Sequence, residues 1–91
     1  MQVKIYLPTP LRQYANGKDM VQVNADTVGE ALKSLTDMFS SLRKQIFTES
    51  GAVRSFVNIF VNEDDIRHLQ GQETKLKNGD TIYIIPSIAG G

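Results

Sequence analysis

Apolar and polar positions alternate from the third residue. Val3, Ile5 and Leu7 fall on one face, Lys4 and Tyr6 on the other. A period of two with β-branched residues predicts a half-buried strand over 3–7. Pro8 and Pro10 stop it, because proline has no amide to give to a ladder. Residues 11–16 read as a polar connection ending in Asn16-Gly17, a strong turn dipeptide. A second strand is predicted over 20–24, with Val21 and Val23 sharing a face, so the first two strands should form a hairpin with a long loop.

The period then changes. Thr27 and Glu30 have capping-box spacing: the hydroxyl can accept from the amide three residues on, and the carboxylate can reach back. Val28, Ala31, Leu32, Leu35, Met38, Phe39 and Leu42 recur every three or four residues, the stripe of a helix about 13–16 residues long. Ile46 and Phe47 extend the stripe, while Lys33, Ser34, Thr36 and Asp37 fall on the solvent side. Residues 48–51 read as a loop. A third strand is predicted over 56–61, where Val57, Ile59 and Val61 alternate with Phe56, Asn58 and Phe60. Residues 62–65 read as a turn, Ile66-Arg67 as a short strand at best, and Asn78-Gly79-Asp80 as a tight turn. The last strand runs over 81–85 and Pro86 ends it.

The order strand, strand, helix, strand, short strand, strand is an α+β pattern, with one helix covering one face of a single mixed sheet. If the first and last strands lie side by side in the centre, the fold is the β-grasp (ubiquitin-like) fold. Roll-like α+β arrangements stay open on pattern alone. The domain occupies residues 1–85, and 86–91 form a tail.

Composition narrows the function more than the fold. Ninety-one residues make one domain, and 29 Val, Ile, Leu, Phe and Met residues suffice for one modest core. Ten basic and ten acidic side chains cancel and are mixed along the chain, which argues against a nucleic-acid partner. The absence of cysteine removes disulfides, thiolate metal sites and thiol nucleophiles. No apolar stretch approaches the ~18 residues of a membrane span. The alternating start does not read as a signal peptide, so a cytoplasmic location is expected. His68, the single histidine, has no partners for a zinc set and reads as a surface loop residue. The cluster Glu63, Asp64, Asp65 fails as a calcium loop, because Ile66 and Arg67 stand where a ligand and a glycine are needed. Gly17-Lys18 is followed by Asp19 and lacks the upstream glycine of a phosphate loop. Catalysis by this chain, a bound metal and a bound cofactor are all unexpected.

The C-terminal segment is different. Pro86-Ser87-Ile88-Ala89-Gly90-Gly91 is small and largely apolar, and six extended residues reach roughly 20 Å. Gly90 and Gly91 have no Cβ, so their backbone can thread a narrow channel.

The tail, the strand pattern and the lack of cysteine together resemble the ThiS/MoaD family of ubiquitin-like sulfur carriers. The most specific parts are Asn78-Gly79-Asp80 and Ile88-Ala89-Gly90-Gly91. Residues 56–67 and the long connection from Leu42 to Ser55 are most similar to its cysteine-synthesis branch. Archaeal and bacterial ubiquitin-like modifiers share the same features. The resemblance implies that the Gly91 carboxylate is adenylated by an E1-like enzyme using ATP and magnesium, then converted by a sulfur donor to a thiocarboxylate. In the cysteine branch a PLP-dependent synthase accepts the sulfur and a JAMM-type metalloprotease frees the product. It further implies that Gly90 permits close approach, that Ala89, Ile88 and Ser87 line the partner's channel, and that Pro86 stiffens the exit from the sheet. Supply of molybdopterin or thiamine synthesis, and conjugation to lysines through Gly91, remain alternatives. A docking surface is expected where strand parity turns Tyr6, Phe60, Tyr83 and Ile85 away from the helix, unless residues 8–17 cover it. The free chain is expected to be a monomer.

Overall fold

The computed structural model describes residues 1–86. Five strands form one mixed sheet: β1 (Gln2–Tyr6), β2 (Met20–Asn24), β3 (Val57–Val61), β4 (Asp64–Asp65) and β5 (Thr81–Pro86). Their spatial order is β2-β1-β5-β3-β4. β1 runs antiparallel to β2 and parallel to β5, and β5 runs antiparallel to β3. The first and last strands are therefore central neighbours. This is the β-grasp arrangement, and the roll-like alternatives fall away.

The inward residues come into register as the alternation requires. Ile5 stands opposite Val21 on one side and Ile82 on the other, and Ile59 opposite Ile84. Helix α2 (Val28–Met38) lays Val28, Ala31, Leu32 and Leu35 on this face, all fully buried. The Thr27 hydroxyl accepts from the Glu30 amide at 3.2 Å, and the Glu30 carboxylate accepts from the Asp26 amide at 3.0 Å. The reciprocal cap is thus present, with its return bond one residue earlier than the standard box.

Four local expectations are corrected. Residues 11–16 are not a polar connection: α1 (Thr9–Arg12) and a 3₁₀ turn over 13–15 bury Leu11 and Ala15 in the core. The prolines that end β1 also start α1, since proline is well placed in a first helical turn. The main helix has 11 residues and stops at Met38, which is exposed. Leu42 and Ile46 are buried from a separate 3₁₀ turn (40–42) and from α3 (Arg43–Ile46). Thr36, assigned to the solvent side, is buried and satisfied by donating its hydroxyl to the Lys33 carbonyl at 3.2 Å. Finally, the short strand is Asp64–Asp65, and Ile66–His68 is a 3₁₀ turn capped by the Asp65 side chain.

The Asn78-Gly79-Asp80 turn acts as a clasp at the base of the sheet. Asn78 Oδ1 accepts from the Gln2 amide at 2.8 Å, and the Gly79 amide donates to the Gln2 carbonyl at 2.9 Å. Gly79 sits at φ +90°, a conformation that a side chain would strain. Asn62, itself left-handed at φ +56°, donates from Nδ2 to Asp80 and accepts from the Thr81 amide, both at 3.1 Å. These bonds hold the start of β5 to β1 and to the end of β3, so the register of the central strand is fixed before it reaches Pro86.

Candidate functional site

The helix-free face of the sheet carries the aromatic row that strand parity demands. Tyr6 on β1 stands opposite Tyr83 on β5, and Tyr83 opposite Phe60 on β3. The two tyrosine rings stack with centroids 5.6 Å apart and planes 14° from parallel. Tyr6 and Tyr83 are each 38% exposed, Ile85 is 47% exposed and Phe60 is half-buried. The covering segment considered above lies elsewhere: residues 9–15 send Leu11 and Ala15 into the core and pack against the 40–42 turn. The four residues expected to form a docking surface are thus brought together on an open face.

Phe56 adds exposed aromatic surface close to the start of β3. It is 43% exposed in the turn that immediately precedes the strand, one residue outside the span expected to begin with it. Its place near the end of β5 follows from the pairing of its neighbour Val57 with Pro86, a long-range contact that no local pattern shows. Pro86, counted with the tail from sequence, is the last residue of β5. Ser87, Ile88, Ala89, Gly90 and Gly91 lie outside the described residues.

Ionisable chemistry on this face is sparse. Among the described residues no group of three His, Cys, Asp or Glu could hold a metal ion, and no helix is long and apolar enough to cross a membrane. Among the described residues, the carboxyl that stands out electrostatically lies away from the aromatic row. Asp37 on α2 accepts a 2.9 Å hydrogen bond from Lys33, which with the charges of Lys33 and Arg43 holds its carboxyl below the ordinary value. A largely aromatic and apolar surface of this kind, at the end of a central strand, can bind a partner.

Known proteins share this fold and sequence pattern. Residues 5–91 match the model of the ThiS family. The chain is 34% identical to the sulfur carrier protein CysO of Mycobacterium tuberculosis, over all of both chains. Its structure superimposes on the crystal structure of the BexX/CysO complex of Amycolatopsis orientalis with a TM-score of 0.89 at 31% identity, covering 98% of this chain and 99% of that one. The solution structure of small archaeal modifier protein 1 from Methanosarcina acetivorans is similar to the same degree, with a TM-score of 0.88 at 35% identity, covering 99% and 96%.

Proposed function

The chain belongs to the ThiS family and is a ubiquitin-like sulfur carrier rather than an enzyme; from that premise we propose that its sulfur is carried on the Gly91 carbonyl and delivered to cysteine synthesis. The observation that carries the reading is the Gly90-Gly91 end joined to a central strand whose outer face is apolar and open.

The chemistry needs no side chain of this protein. The Gly91 carboxylate is a poor electrophile. Attack of its oxygen on the α-phosphorus of ATP releases pyrophosphate and gives an acyl-adenylate. Hydrosulfide then adds to the activated carbonyl, AMP leaves, a proton is lost and a thiocarboxylate remains. ATP and its magnesium belong to an E1-like partner, and the sulfur comes from a separate donor. The accepting enzyme in this reading is a PLP-dependent cysteine synthase, with a JAMM-type metalloprotease releasing the product. Gly90 allows the partner's walls to close on the backbone, and Ala89, Ile88 and Ser87 fill the channel behind it. Tyr6, Phe60, Tyr83 and Ile85 dock the activating enzyme, and Pro86 sets the direction in which the tail leaves.

Intact mass after incubation with E1-like enzymes, ATP and sulfide tests this reading. The expected product gains the mass difference of one oxygen exchanged for sulfur, and a chain lacking Gly91 gains nothing while melting at the same temperature. An unchanged wild-type mass with every activating enzyme tried would overturn it. Likeness to small archaeal modifier protein 1 favours a second reading, in which the activated Gly91 carbonyl is captured by lysine amines. Isopeptide-linked Gly-Gly remnants on other proteins would mark that outcome.

A further inference from the structure

Where β3 begins, beside the end of β5, a cavity of about 250 Å³ opens on the side of the sheet opposite the aromatic row. Val57, Ile59 and Ile66 make it apolar inside. Arg54 and Arg67 stand at its wall, and none of its nine lining residues is acidic. Both guanidinium groups are held by backbone carbonyls. Arg54 donates from Nε to the Lys44 carbonyl at 2.7 Å. Arg67 donates from Nη2 to the carbonyls of Ser55 and Val57 at 3.3 and 3.2 Å. The neighbouring acid, Asp65, is only loosely paired, 3.9 Å from Arg67 Nη1, and its other oxygen caps the 66–68 turn by accepting from the Arg67 amide at 2.8 Å. Arg54 is half-buried and takes part in none of the ion pairs among the described residues.

This cavity adjoins the root of the tail, because Val57, which lines it, is the strand partner of Pro86. A protein that draws residues 87–91 into an active site brings its surface against that root and the adjoining cavity, at whose wall Arg54 stands. A guanidinium cannot shed its proton to escape burial. Covering it without a counter-charge is strongly unfavourable, whereas a carboxylate in bidentate contact satisfies both its charge and its free donors. We propose that the protein receiving the tail sets an acidic side chain into this cavity against Arg54, with Arg67 bounding the other side. The assignment rests on the tail-insertion reading above and adds to it a polar anchor, distinct from the aromatic row and on the opposite face of the sheet. A lysine at position 54 would supply charge without the planar fork and should serve less well.

The test uses the full chain and the activating enzyme that thiocarboxylates it, with Kd measured by calorimetry at low and high salt. Arg54→Glu is expected to weaken binding about tenfold or more, as for loss of a desolvated charge pair. Lys18→Glu makes the same charge change at the turn before β2, the opposite edge of the sheet, and should stay within about twofold. Should Arg54→Glu prove unfolded by circular dichroism, Arg54→Gln decides: it keeps a donor for the Lys44 carbonyl, and its Kd should be weaker than wild type and less dependent on salt. Equal Kd values and equal salt dependence for wild type and the folded Arg54 variants would overturn the acidic contact while leaving thiocarboxylate formation intact. Failure of wild type to be thiocarboxylated by any enzyme would remove both readings together.

Discussion

Replacing Tyr83 by alanine separates docking from folding on the aromatic row. The ring is 38% exposed, so of a side chain burying about 200 Å² some 75 Å² stays wet in the free protein. At about 25 cal/mol per Å², covering that remainder contributes roughly 2 kcal/mol to a complex. Losing it should raise Kd by about 30-fold, since each ~1.4 kcal/mol is a factor of ten. Folding suffers too. The buried part of the ring, stacked on Tyr6, is worth at most about 3 kcal/mol in area, an upper bound because denatured chains already hide some surface. A small domain typically has ~5–15 kcal/mol in hand, so the variant should remain folded in the cold. Tyr83→Phe keeps the ring and removes only the hydroxyl, and is expected to bind and melt like wild type. Calorimetry against the activating enzyme gives Kd, and circular dichroism melts give the folding control. A folded Tyr83→Ala variant with wild-type Kd would refute the assignment of this face to docking. Equal losses in Tyr83→Phe and Tyr83→Ala would show that the hydroxyl, and not the apolar area, is what the partner reads.

Leu35 is fully buried against the sheet, and Leu35→Ala should cost about 2–5 kcal/mol in a denaturant titration; a loss below about half a kcal/mol would mean that the helix packs through another face. The Asp37 carboxyl is favoured in its ionised form by the Lys33 hydrogen bond and the nearby cations, so its folded value lies below its unfolded one. Its contribution is therefore present above the unfolded value and lost as pH falls through the folded one. Asp37→Asn should melt slightly lower than wild type at neutral pH, and the gap should close on acidification below about pH 4. A gap independent of pH would assign the effect to packing instead of charge.

What was legible in the chain follows from the range of each signal. Strand parity is a purely local rule, and it placed Ile5, Ile59, Ile82 and Ile84 inward and Tyr6, Tyr83 and Ile85 outward. The Thr27 cap is local as well. The end of α2 was not legible, because the apolar spacing continues through Leu42 and Ile46 after the backbone has left the helix at Phe39, where φ is −130° and ψ is 83°. Periodicity records which residues face the core and is blind to a break that keeps them facing it. Thr36 misled for a different reason: its hydroxyl is satisfied by the helix's own carbonyl three residues back, so a polar residue could be buried at little cost. The pairing of Arg67 with the carbonyls of Ser55 and Val57 joins residues ten and twelve positions apart through a 3₁₀ turn, which no spacing rule anticipates.

One strand connects these features. Within β5, Ile82 and Ile84 are buried among the core residues, Tyr83 and Ile85 stand exposed on the other face, and Pro86 closes the ladder against Val57. The clasp of Asn78, Gly79, Asp80 and Asn62 fixes where this strand starts, and a strand of fixed start and length also fixes where it ends. A slip of one residue would exchange Tyr83 for Ile84 on the outer face and move the exit point at the same time. Loosening the clasp should therefore harm docking and tail presentation together, although it lies at the opposite end of β5 from both the tail and Arg54. This coupling gives a physical reason for a side-chain amide at 62 and an Asn-Gly-Asp turn before the final strand: they fix the outer face and the end of β5, on which the proposed docking and tail delivery depend.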